Sequence, residues 1–210
     1  MTVILLGGAT VFGWAAGWWP IRTVANAHAH GARLHRPGVR TAIAVAAAAA
    51  FGLVAWGVGW SPLLPAALLF TAAGVAAAAV DLVEHRLPNA ILAAGTVTVL
   101  AAIVVASWVH GWGLLFGSLA GGAAMLASYA VVALISPRSM GMGDVKLAGF
   151  IGLTLGAFGV TPWLVGLVAA FILGGIVALA ALVSRRASLA SVIPFGPSMV
   201  AGAIVALALG

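Results

Sequence analysis

The sequence predicts an all-α, polytopic integral membrane protein of about eight transmembrane helices with both termini outside, and three observations carry that prediction. The chain of 210 residues is 64% hydrophobic and only 6% charged, with a mean hydropathy of +1.25. A soluble domain of this length cannot hide so much apolar surface, so lipid must be the solvent. Every Lys and Arg falls in alternate short loops between apolar runs, and the opposite loops hold none. Tryptophans stand at the ends of the runs, where an interfacial aromatic belt belongs.

A spanning helix needs about 20 apolar residues. That ruler gives runs at 2–20, 41–58, 63–83, 89–108, 112–135, 145–160, 163–184 and 196–209, the sixth and eighth being short. Arg22, Arg33, Arg36 and Arg40 lie between the first two runs and Arg86 between the third and fourth. Arg138 lies between the fifth and sixth with Lys146 at the very start of the sixth, and Arg185 and Arg186 lie between the last two. The positive-inside rule assigns those loops to the cytoplasm. Trp56, Trp60, Trp108, Trp112 and Trp163 then mark the outer ends, and Trp18 and Trp19 the inner end of the first run. The formal charge of +6 is spread over these loops, which suits an anionic membrane face and not a nucleic-acid groove. The absence of cysteine excludes disulfides, thiolate metal sites and thiol nucleophiles.

Val24-Ala25-Asn26-Ala27 looks like a small-residue cleavage site, but the charges follow the first run instead of preceding it, so the run is expected to stay as an anchor. His28, His30 and His35 lack the three- or four-residue spacing that would turn two imidazoles to one metal from a helix, so the loop at 21–40 is expected to face headgroups and no metal is expected. Gly117 with Gly121 and Gly152 with Gly156 are small residues at packing spacing, which predicts close contact of the fifth and sixth helices. Ala46 to Ala50 is simply helix, and no internal repeat of the kind found in many transporters is visible. In Ile193-Pro194-Phe195-Gly196-Pro197 two prolines around a glycine fix a break in the backbone. Such backbone is tolerated at membrane depth only where protein or a wet cavity covers it.

Three acidic residues exist in the chain: Asp81, Glu84 and Asp144. An ionisable group kept at membrane depth is a functional hypothesis by default. The third helix is expected to end just before Pro88, because the residue preceding a proline leaves helical geometry. Asp81 then lies about two turns inside that end, with Glu84 and His85 on its face and Arg86 off it. Asp144 follows Gly143 at the start of the sixth helix, where a carboxylate also serves as an N-cap. Asp81, toward a helix C-terminus, opposes the macrodipole and needs another explanation. On the predicted topology both aspartates lie at the cytoplasmic edge of the hydrocarbon. Two carboxylates sharing one site hold one proton between them, the arrangement for hydrolysis by activated water. Their opposite helix fields favour Asp144 as the proton acceptor and Asp81 as the holder of the shared proton. Gly141 and Gly143 carry no Cβ and would let a substrate backbone approach. Lys146 reads first as a snorkelling anchor and second as a substrate contact.

These residues also carry a family resemblance. Gly141-Met142-Gly143-Asp144-Val145-Lys146-Leu147 resembles the GxGD motif of the type IV prepilin peptidases, which are membrane aspartyl peptidases. Asp81 followed by Leu87-Pro88-Asn89 resembles the family's first motif, and Ile193-Pro194-Phe195-Gly196-Pro197 its C-terminal segment. The resemblance implies Asp81 and Asp144 as the catalytic pair, shaped by Glu84, Gly141, Gly143, Lys146, Pro194, Gly196 and Pro197. It implies cleavage of a prepilin or pseudopilin precursor at the cytoplasmic face of a bacterial inner membrane, without a cofactor. It divides the chain into an N-terminal helix pair with a basic loop, 1–60, and a peptidase core, 61–210. Larger bacterial members carry a cysteine-containing insert after the first helix and also N-methylate the product. Here that loop is short and has no cysteine, so no zinc is expected and the departure puts methyl transfer in question. The rival readings are a proton- or cation-coupled transporter using the same two aspartates and a non-catalytic assembly factor. Acidic residues at one membrane edge, not at the midplane, favour the peptidase.

Overall fold

The computed structural model describes residues 2–18, 37–136, 140–184 and 194–210, and all of its regular structure there is helical. In chain order the helices are α1 (Thr2–Trp18), α2 (Pro37–Val58), α3 (Leu64–Glu84), α4 (Asn89–His110), α5 (Gly113–Ile135), α6 (Met142–Phe158), α7 (Val160–Val183) and α8 (Gly196–Leu209). The basic loop with His28, His30 and His35, the charges Arg138, Arg185 and Arg186, and Ile193 lie outside the described residues.

Among the described residues five helices, α2 to α5 and α7, are long and apolar enough to cross a bilayer. That makes the chain a polytopic membrane protein. The other three are shorter, and the expectation of eight crossings meets a physical limit there. At about 1.5 Å per residue, the 17 residues of α6 and the 14 of α8 span roughly 25 and 21 Å, less than a hydrocarbon core of about 30 Å. A helix that short, if it lies across the membrane, leaves an end inside the hydrocarbon. Its unpaired N–H groups then need partners from the protein, because lipid supplies none.

The core is built around α3, which packs against α2, α4, α6 and α8. Its buried face is mostly alanine and glycine, with Phe70 and Val80 filling the gaps. Phe70 meets Phe150 of α6 at 5.2 Å between ring centres, and Ala73 of α3 sits against Gly95 of α4. The opposite extreme is α7, most of whose surface is bare apolar side chain that only lipid can cover.

The small-residue stripes meet as the sequence predicts. A Cβ added to Gly117 would lie 2.7 Å from the carbonyl oxygen of Gly156, and one on Gly121 would lie 2.7 Å from that of Gly152. At such separations α5 and α6 touch backbone to backbone. Ser118 reinforces the contact by donating from Oγ to the carbonyl of Leu153 at 2.7 Å. Trp163, in the first turn of α7, adds a second bond. Its Nε1–H donates to the carbonyl of Gly121 at 2.9 Å and ties α7 to the same pair.

Gly152→Val would drive a side chain into the Gly121 carbonyl and into Met125, 2.5 and 2.6 Å from the added Cβ. Overpacking of this kind costs about 1–3 kcal/mol, and more where backbone must yield. The expected result is a clear fall in the melting temperature in detergent. Gly175→Ala, on a face of α7 with open space around it, should leave melting unchanged or slightly raised.

Two helix ends differ from expectation and reshape the site. α3 stops at Glu84, not just before Pro88. His85 adopts a left-handed conformation (φ 52°, ψ 38°) and its N–H donates to the carbonyl of Asp81 at 2.9 Å. His is among the few residues besides glycine that visit this region readily. Asp81 is therefore one turn from the helix end, not two. α6 begins at Met142, so Asp144 is its third residue with Gly141 at the N-cap.

Candidate active site

Asp144 sits in the first turn of α6, where its Oδ2 accepts the N–H of Gly141 at 3.2 Å. This is the reach-back half of a capping box; the other half is missing because Gly141 has no side chain to return it. The carboxylate is held at a helix N-terminus and is only partly buried.

Asp81 is 5% exposed, a carboxylate sunk in the last turn of α3. Its partner comes from far along the chain. The N–H of Gly196, first residue of α8, donates to Asp81 Oδ2 at 3.1 Å. The sequence Phe195-Gly196-Pro197 prepares this contact. Pro197 removes one of the orphan donors of a helix start, and Gly196 leaves the approach open. A Cβ on Gly196 would stand 2.7 Å from Asp81 Oδ2. The break in the backbone thus lies against the aspartate. Pro194 and Pro197 are partly buried on either side of it.

This contact corrects the electrostatic asymmetry expected from sequence. Asp81 does lie toward the C-terminus of α3, but the N-terminus of α8 points at it as well. Both carboxylates therefore accept a backbone N–H at a helix start, and at Asp81 the field of α8 offsets that of α3.

The two aspartates line one cavity of about 330 Å³. α3 and the turn after it supply Asp81, His85, Arg86 and Leu87; α4 supplies Asn89; Gly141, Gly143, Asp144 and Lys146 complete the wall. Asp81 lies in the electrostatic field of Asp144 and of His85. Lys146 is exposed on α6. Its Nζ donates to Asn89 Oδ1 at 2.8 Å, tying the first turn of α4 to the second turn of α6. Glu84 is partly buried at the end of α3 and is not among the residues lining the cavity. Arg86, expected off the face of Asp81, does line it, because the left-handed turn at His85 redirects the chain.

The glycines differ in what surrounds them. Among the described residues, leaving aside its chain neighbours, only the Asp144 carboxylate and the Gly143 amide come within 4 Å of a Cβ built on Gly141, so that backbone is open to approach from their side. At Gly143 the space is taken by Leu87, whose Cβ is 3.1 Å from the built position. Gly143 serves close packing within the protein.

Tyr129 was not singled out by sequence reasoning. It is the only tyrosine in the chain, is 1% exposed, and lies in the field of Asp144. Its ring stacks on Phe171 at 5.4 Å, and Phe171 meets Phe195 at 5.6 Å, so an aromatic row runs from α5 across α7 to the residue before Gly196. The antiparallel register of the glycine pairs, 117 with 156 and 121 with 152, carried two more turns, sets 129 against the start of α6. That signal was present in the sequence.

Among curated proteins and among solved structures no match to the chain is found. A family model described as the type IV leader peptidase family matches residues 68–179. The matched segment is more than half of the chain and holds both aspartates and the Gly141–Lys146 turn, stopping short of Gly196. The protein is a peptidase by that membership, a multi-pass membrane protein whose family acts on prepilins and pseudopilins. On a match of that extent, the chain belongs to the type IV leader peptidase family.

Proposed function

We infer that the protein is an aspartic-type prepilin or pseudopilin leader peptidase whose catalytic pair is Asp81 and Asp144, working at the cytoplasmic face of a bacterial inner membrane. The observation that carries this reading is the meeting of the two carboxylates, from helices far apart in sequence, in one small cavity. Each accepts a backbone N–H that fixes its orientation. Of the glycines beside them, Gly141 is the one whose backbone leaves room for a peptide.

In this mechanism the pair shares one proton. Asp144, the more exposed of the two, accepts a proton from water as the oxygen attacks the scissile carbonyl, and Asp81 gives its proton to the carbonyl oxygen. The tetrahedral intermediate collapses with cleavage of the C–N bond. The proton gained by Asp144 goes to the departing amine, and the proton on the collapsing hydroxyl returns to Asp81. The pair acts as a unit, so these roles describe a dominant microstate.

The chain has no native cysteine, which makes topology directly testable. Ser184→Cys, at the end of α7 beside Arg185 and Arg186, is expected to react with a membrane-impermeant thiol reagent only from the cytoplasmic side. Ser61→Cys, between α2 and α3, should react only from outside. The reverse pattern would carry the aspartates to the wrong face for a leader peptidase.

Side chains at the periphery should matter less than the pair. Glu84→Gln should keep substantial activity. Lys146→Met removes the bond to Asn89 and should cost no more than about tenfold, the worth of roughly one hydrogen bond at a partly solvated site. Cleavage rates of a co-expressed prepilin, read as a mobility shift, check both.

A further inference from the structure

The segment between α3 and α4 does more than connect them. Leu87 lies between the two helix starts that serve the aspartates. Its Cβ and Cδ1 are 3.1 and 3.5 Å from the position of a Cβ on Gly143, beside Asp144. Its Cδ2 is 3.3 Å from the position of a Cβ on Gly196, the residue that holds Asp81. The isobutyl group therefore fills the gap between α6 and α8 and forms an apolar wall of the cavity that both carboxylates line.

This wall is held in place from both sides. His85 turns the chain through a left-handed conformation before it, and Pro88 fixes the backbone after it at φ −68°. Asn89 is then tied to Lys146 across the cavity. A side chain positioned by a turn, a proline and a hydrogen-bonded neighbour cannot withdraw cheaply when a ligand arrives.

We propose that Leu87 is a specificity-determining residue, the wall that limits the size of the substrate side chain next to the scissile bond. The proposal rests on the peptidase reading above. A peptide must bring its scissile carbonyl between Asp81 and Asp144, and the side chain adjacent to that carbonyl then comes against Leu87. Packed against both glycine positions, the isobutyl group sets the boundary of the cavity on that side. The residue acts by shape alone and takes no part in proton transfer.

The test is a panel of prepilins carrying Gly, Ala, Val or Leu, one at a time, at each of the two residues flanking the scissile bond. The readout is the ratio of kcat/KM for bulky over small residues, in wild type and in Leu87→Ala and Leu87→Val. In wild type the rate should fall with side-chain size at one of the two positions. Leu87→Ala should raise the bulky-to-small ratio there by about tenfold or more, the usual worth of added space in an apolar pocket. Leu87→Val should shift it the same way by less. A common fall for all substrates, with ratios unchanged in both variants, overturns the proposal and leaves Leu87 a packing residue. So does loss of all cleavage in both variants with melting unchanged, which assigns Leu87 to holding the pair. Failure of the underlying reading looks different: wild type cleaves none of the panel, or Asp144→Asn cleaves as wild type does.

Discussion

Asp81→Asn and Asp144→Asn are each expected to abolish cleavage, with rates falling by about 10²–10⁴-fold, the range for loss of a general acid or base. An amide neither accepts the proton of the attacking water nor delivers one to the carbonyl oxygen. Shape hardly changes, and the Gly196 and Gly141 N–H groups still find an oxygen to donate to, so both variants should remain folded. Groups that work as one unit are not additive. The double variant should therefore be no slower than the worse single one. Rates measured in purified, lipid-reconstituted protein, with melting curves beside them, check this. Near wild-type turnover by either Asn variant would return the aspartates to the proton- or cation-coupled role.

The second large effect is expected at Gly196. Alanine there places a methyl group 2.7 Å from Asp81 Oδ2, with Leu87 Cδ2 at 3.3 Å on the same side. Either the carboxylate turns away or α8 backs off, and the N–H donor at 3.1 Å is lost in both cases. Misplacement of a catalytic group by about 1 Å is enough to cost on the order of 10²-fold. Gly196→Ala should thus lose at least about 10²-fold in kcat while substrate binding and overall helicity persist. Activity within a few-fold of wild type would mean that α8 does not hold Asp81 in the working enzyme.

What the sequence made legible follows from where its physics is local. Alternate basic loops and the length of apolar runs settle the class of the protein and most helix positions. α8 begins at Gly196 as the proline and glycine pattern predicts. The contact of α5 with α6 was legible because glycine at four-residue spacing permits only one kind of neighbour. The end of α3 was placed three residues late. Pro88 does exclude helix before it, but His85 ends the helix earlier by entering the left-handed region, a choice the rule for prolines does not report. That difference moved Arg86 onto the cavity.

Long-range partners were the least legible part. The Gly196 N–H on Asp81 joins residues 115 positions apart, and no local propensity encodes it. Gly143 looked like a substrate platform because a missing Cβ says that something comes close, without saying what. The neighbour is Leu87. Tyr129 needed the α5–α6 register to be read two turns beyond its glycines. The short lengths of α6 and α8 were visible from the start. The role of their starts, each giving a backbone N–H to one aspartate, required the folded chain.

The central claim is that this chain alone cuts a prepilin with its two aspartates. The most direct measurement is reconstitution of the purified protein with a full-length prepilin in liposomes, followed by mass determination of the products. The account predicts two fragments from one cut, just before the substrate's apolar helix, with Asp144→Asn yielding only intact precursor. Intact precursor from the folded wild-type protein, across a set of prepilins and pseudopilins, would contradict it.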